Sequence, residues 1–138
     1  MNNVIIYTND NGGVSICIPT GEIPIKDVQA KDIPADIESF IVNSSMLPEA
    51  DSDFFDAWEQ TNGIVTVNLE KSREITRARL RAERAPLLAA LDVEFQRALE
   101  NGADVSAIVA EKVRLRDITS LVEGCGSTAE LRALNCRS

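Results

Sequence analysis

The sequence predicts an α+β fold: a small antiparallel β domain over residues 1–68, then a long-helix αα-hairpin and a short C-terminal helix over residues 69–138. Three observations carry this. Short β-branched runs separated by Gly, Pro and Asn clusters fill the first half, whereas a glycine-free run of strong helix formers begins at Leu69. The charge also changes near residue 70: twelve acids face only Lys26 and Lys31 before it, a net of −10, while ten acids and twelve bases follow, a net of +2.

In chain order, Val4 to Thr8 (VIIYT) and Val14 to Ile18 (VSICI) read as the arms of a β-hairpin. Between them, Asn9-Asp10-Asn11-Gly12-Gly13 supplies residues that tolerate positive φ. A glycine pair can also open a phosphate loop, but the following helix and lysine of a P-loop are missing. Pro24 suits the first position of a short helix to about Lys31, closed by Asp32-Ile33-Pro34. Ser39 to Val42 (SFIV) reads as a strand and Asn43 to Asp53 as a polar loop. Ser52 is placed to cap a brief helix carrying Phe54, Phe55 and Trp58. Three of the six aromatics sit in that turn, either plugging the open face of a small sheet or forming an exposed patch that binds a partner. Asn62-Gly63 then introduces a last strand, Ile64 to Asn68.

The long helix is expected from Leu69 to about Asn101, with Gly102 ending it and a kink at Pro86, which cannot donate to the carbonyl four residues back. At 1.5 Å per residue it would be roughly 48 Å long, so much of it must project or pack on other helices. Its apolar stripe is Leu80, Leu87, Leu91, Phe95, Ala98 and Leu99, flanked by Leu88. Asp104 is the expected N-cap of the returning helix, which carries Val105, Ile108, Val109, Leu115, Ile118 and Val122 and runs to Glu123. After Gly124-Cys125-Gly126, Ser127-Thr128-Ala129-Glu130 reads as a capping box for a short helix ending near Leu134. Two helices alone cannot cover both Leu87/Leu91/Phe95 and Leu88, so either the β domain or another copy must do so, and a homo-oligomer through the long helix is expected.

Composition narrows the function. The 138 residues contain no histidine, which removes imidazole-based triads, the usual zinc sets and a histidine pH switch. Cys17, Cys125 and Cys136 form an odd set with no CxxC spacing, which argues against a disulfide framework and a cysteine metal site and suits a reducing compartment. No run approaches 18 apolar residues, and MNNVIIYTND lacks the basic start and apolar stretch of a signal peptide, so the expected home is a cytoplasm, with no membrane partner.

No constellation survives as an active site. Glu49, Asp51, Asp53, Asp56 and Glu59 superficially suggest a calcium loop, but the glycine at the sixth and glutamate at the twelfth position are missing. Cys125 has neither a histidine base nor a second motif, and Asp92 and Glu94, beside Arg97, read as surface charges. Lys71, Arg73, Arg77, Arg79, Arg81 and Arg84, with Glu74 and Glu83, amount to +4 over fourteen residues. Such a run could touch nucleic acid, form a solvated face or dock an acidic surface; the net charge of −8 and the lack of a reading motif speak against nucleic acid. Catalytic, cofactor and metal residues are therefore expected to be none. The candidate partner-binding residues are Phe54, Phe55, Trp58, Arg77, Arg81 and Leu88.

The helical half carries Arg79-Leu80-Arg81-Ala82-Glu83-Arg84-Ala85-Pro86-Leu87-Leu88-Ala89-Ala90-Leu91-Asp92, then Phe95, Arg97-Ala98-Leu99, Leu115-Arg116-Asp117-Ile118 and a terminal TAELRAL. The first half has VIIYT, Val-Ser-Ile-Cys-Ile-Pro-Thr-Gly-Glu, Ala30-Lys31-Asp32-Ile33-Pro34 and Phe54-Phe55-Asp56-Ala57-Trp58-Glu59. Together these resemble the small tail-associated proteins of tailed bacteriophages, of the tail assembly chaperone or tail fibre assembly type. GCGS before the last helix and Cys136 depart from that pattern. The resemblance implies a non-enzymatic role in tail morphogenesis: binding a tail fibre, tail-tip or baseplate component, in the host cytoplasm during assembly or as a part of the virion tail. The other reading is a small acidic phage-encoded inhibitor that binds a host protein, since an acidic chain of this size can imitate nucleic acid.

Overall fold

The computed structural model describes residues 2–137 and is α+β. The chain divides into two compact units, Met1–Ser72 and Arg73–Ser138, so the division falls four residues beyond the expected one, after the first turn of the long helix. Within the first unit that turn is tied to the strands. The Asn68 side chain accepts from Lys71 N–H at 3.0 Å, and Lys71 Nζ lies 2.7 Å from Glu59 Oε2.

The first unit is built around β1 (Asn3–Thr8). It pairs antiparallel with β2 (Val14–Cys17) on one side and β3 (Ser39–Asn43) on the other, giving the order β2-β1-β3. The connecting turn closes on its own side chain: Asn9 Oδ1 accepts from Asn11 N–H and Gly13 N–H at 3.0 Å, and Gly12 takes φ +81°. Side chains alternate across a strand, so both faces of β1 can be covered. Val4 and Ile6 join Val14 and Trp58 on one face; Ile5 meets Val28 and Ile33 on the other, where α1 (Ile25–Asp32) packs. Pro24 stands one residue before that helix.

Two expectations in this unit need correction. A kinked 3-10 segment, Glu49–Ala57, with non-helical backbone at Asp51 and Phe54, replaces the second part of the polar loop; it begins after Pro48, and Ser52 lies inside it rather than capping it. Trp58 does not continue the turn. It opens β4 (Trp58–Thr61), which pairs with β5 (Ile64–Val67). WEQT has only one apolar residue facing inward, and the aromatic spacing before it imitates a helix, so no strand pattern shows in the sequence. The two-residue connection has Asn62 at φ +52° and Gly63 at φ +85°, the turn that matches strand twist.

The second unit contains most of α2 (Leu69–Glu100), followed by α3 (Ser106–Asp117), a 3-10 segment (Ile118–Gly124) and α4 (Thr128–Ala133). α2 runs without a break through Pro86. Asp104 sits one residue ahead of the observed cap, yet its carboxylate accepts from Ser106 N–H at 3.0 Å, which holds its pKa below the ordinary aspartate value. Ser127 caps α4 as expected by accepting from Glu130 N–H at 3.2 Å; the reciprocal bond goes to Gly126 N–H, at 2.7 Å. The returning helix does not stay α-helical to Glu123. Its last carbonyls, Leu115 and Arg116, accept from Arg84 Nη1 at 3.4 and 2.8 Å, while Ile118 N–H bonds back only three residues, to Leu115. The chain beyond tightens to 3-10.

Candidate partner-binding surfaces

The aromatic turn separates its three rings. Phe54 is buried, and Trp58, 3% exposed, enters the core while its Nε1–H donates to the Asp51 carbonyl at 3.2 Å. Between them Phe55 stays 38% exposed, its ring centroid 4.9 Å from that of Trp58 and tilted by 60°. The backbone departs from helical geometry at Phe54 itself (φ −110°, ψ 30°), between the buried ring and the exposed one that follows it. Trp58 thus packs on the sheet, Phe54 is buried, and the turn displays Phe55. Its surroundings are acidic and polar, with exposed Asp53 and Asp56 in the same turn. A shallow recess beside it is lined by Asn9, Asn11, Gly13, Val14, Phe55 and Asp56.

In the basic run, five of the six cations are committed to partners within their own unit. Lys71 pairs with Glu59, lowering that carboxyl's pKa together with a bond from Asn68. Arg73 Nη2 donates to the Cys125 carbonyl at 2.9 Å, just past the end of the 3-10 segment. Arg77 is ion-paired with Glu74 and Glu123. Arg79 binds Glu83 at 2.7 Å and donates through Nη2 to the Leu131 and Leu134 carbonyls at 3.1 and 2.7 Å. Arg84 holds the end of α3. Each of Arg73, Arg79 and Arg84 thereby donates to carbonyls at or just past a helix end, adding to the backbone bonds that Ile118 N–H and Leu134 N–H make to Leu115 and Leu131. Sequence reading missed this use, because the carbonyls lie between about 30 and 55 residues further along the chain. Arg81 is the exposed member of the run.

Leu88 is half-buried on α2. The predicted stripe is only partly covered: Leu80 and Leu115 are fully buried, Leu87, Leu91 and Phe95 are half-buried, but Leu99 is 52% and Val109 42% exposed, contrary to their expected places in the buried seam. Towards its turn the hairpin is joined instead by polar contacts. Lys112 Nζ lies 2.6 Å from Asp92 and 4.9 Å from the Phe95 ring centroid, and the pair lowers the Asp92 pKa. Asp92, read as a bare surface charge, is therefore a hairpin contact. Val93 and Val113 are likewise exposed, so the distal hairpin shows four apolar side chains to solvent.

Among the described residues, no group of three or more His, Cys, Asp or Glu is arranged to hold a metal, and no helix is long and apolar enough to cross a membrane. Compared with family models, with curated proteins and with solved structures, the chain matches none. The likeness to phage tail proteins accordingly rests on the residue patterns quoted above.

Proposed function

We propose that this chain is a non-enzymatic bacteriophage tail protein that binds a tail fibre, tail-tip or baseplate component, acting in the host cytoplasm during assembly or as a part of the virion tail. The observation that carries the reading is Phe55, an aromatic ring exposed on a turn that Trp58 anchors in the core and that exposed acids surround. A ring held rigid before contact loses little entropy on binding, and aromatic anchors of this kind dominate interface energetics. The exposed apolar side chains of the distal hairpin supply a second contact area. Binding without chemistry also agrees with the absence of histidine and with a basic run spent on helix ends rather than on a ligand.

The test is affinity capture of tail fibre, tail-tip and baseplate proteins from the parent phage, with mass spectrometry of purified virions. Capture by the natural chain that falls about tenfold or more in Phe55→Ala supports the reading. Retention of a host protein with no tail component would overturn it in favour of the inhibitor reading.

A further inference from the structure

Residues 127–137 make up α4 and the stretch after it, and this segment is built as a separable piece. It caps its own helix through Ser127 and Glu130. Its attachment to the hairpin is largely polar and comes from side chains that read its backbone. Arg79 takes the Leu131 and Leu134 carbonyls; Arg114 Nη2 donates to the Cys136 carbonyl at 2.7 Å; Glu83 Oε1 accepts from Cys136 N–H at 3.3 Å; and the Cys136 thiol donates to the Leu80 carbonyl at 3.4 Å. Only Leu131 and Cys136 are fully buried in it.

The fit around the segment is incomplete. A recess of about 330 Å³ separates its Ala133–Asn135 stretch from Ile118 and Leu121; a second, of about 370 Å³, lies beside Cys136 against Pro86 and Leu87; a third, of about 400 Å³, opens between Cys136 and Leu91 and Leu115. Segments with few buried apolar contacts and open flanks are the ones that detach first. The pivot is also present. Arg73 pins the chain at the Cys125 carbonyl, and beyond it a Cβ on Gly126 would meet nothing within 4 Å.

We propose that residues 127–137 are an exchangeable arm, which leaves its own hairpin and docks in the same groove of a second copy. The occupant follows from the chemistry: two guanidiniums placed to donate to the carbonyl end of a short helix and to the carbonyl of the residue at 136, a carboxylate to accept from the N–H of that same residue, and buried seats for Leu131 and Cys136. Among the described residues, only this segment is seen to satisfy all of them. Exchange preserves every docking bond, so it requires just the pivot and a second copy. The arm rather than the Leu88 face then links the copies.

The experiment mixes natural-abundance and 15N-labelled copies of full-length Leu87→Cys, since Leu87 lines two of the recesses beside Cys136. The mixture is held at high concentration, diluted, and treated with a short bis-maleimide. Exchange yields cross-links between Cys136 and the introduced thiol whose two peptides carry different isotopes, approaching half of all such links. Links joining only like isotopes after prolonged incubation would overturn the proposal. In the natural chain, alkylation of Cys136 reports arm opening without any engineered thiol. It is expected to run about tenfold faster in Arg114→Ala while Cys125 is unaffected; equal acceleration at both thiols would mean general unfolding and would also overturn it.

Discussion

The two units close their interiors by different means. In the first, the central strand buries Ile5 on one face and Ile6 on the other, each against its own apolar cluster, so alternation alone completes two cores. In the second, one long helix faces three short helical pieces, and carbonyls at or just past the end of each piece accept from a side chain outside it. Guanidiniums from α2 supply those donors, and Arg114 of α3 holds the Cys136 carbonyl beyond α4. A small sheet becomes self-sufficient through side-chain packing, whereas a stack of short helices depends on side chains that reach backbone.

This contrast can be broken at either end, and the probes separate because Trp58, the single tryptophan, reports the first unit while helical circular dichroism is dominated by the second. The largest effect is expected for Ile6→Ala. Removing a fully buried side chain from the central strand should cost about 3 kcal/mol and move the urea midpoint seen by tryptophan fluorescence. An unchanged fluorescence midpoint would show that the sheet core is not what holds this unit.

A smaller loss, about 1–2 kcal/mol in the ellipticity transition, is expected for Arg79→Lys. A lysine keeps the charge beside Glu83 but cannot also fork to the Leu131 and Leu134 carbonyls. If charge alone matters, the lysine variant will equal the natural chain. Gly63→Ala should cost about 1 kcal/mol or slightly more on the fluorescence side. Its φ of +85° disfavours a side chain, and the new Cβ would lie 3.3 Å from Phe40.

The pH dependence sharpens the contrast further. Arg79 holds the Glu83 carboxyl, and Arg114 the Glu111 carboxyl, below the ordinary glutamate value. Lowered folded-state values mean that the unfolded chain binds more protons, so this stabilisation is present above about pH 4.3 and is lost as acid takes the pH through the folded values. Burial, and then Glu83, pushes the Cys136 thiol up. Its contribution is complete below the unfolded thiol value of about 8.5 and is lost as the pH rises through the folded one. The helical transition should therefore weaken at both extremes, and Cys136→Ser should flatten the alkaline arm alone. The smallest stability effect belongs to Phe55→Ala, within about 1 kcal/mol, because its ring is already partly in water.

Much of this protein was written in local sequence. The β1–β2 hairpin, α1, β3, the unbroken stretch from Leu69 to Glu100 and the capped α4 all rest on interactions within a few residues, where periodicity and capping chemistry act. Tertiary structure decided the rest. Whether Trp58 faces water depends on its packing with Val4, Ile6 and Val14 from other strands, and β4 exists because β5 pairs with it. The arginines show the limit most plainly. Their spacing on α2 reads as a basic face, and only the return of the chain, bringing Leu115, Cys125, Leu131 and Leu134 carbonyls within reach, turns charge on a helix surface into the caps of other helices. A hydrogen bond between residues some 50 positions apart leaves no periodic trace in the sequence, because neither partner constrains the neighbours of the other.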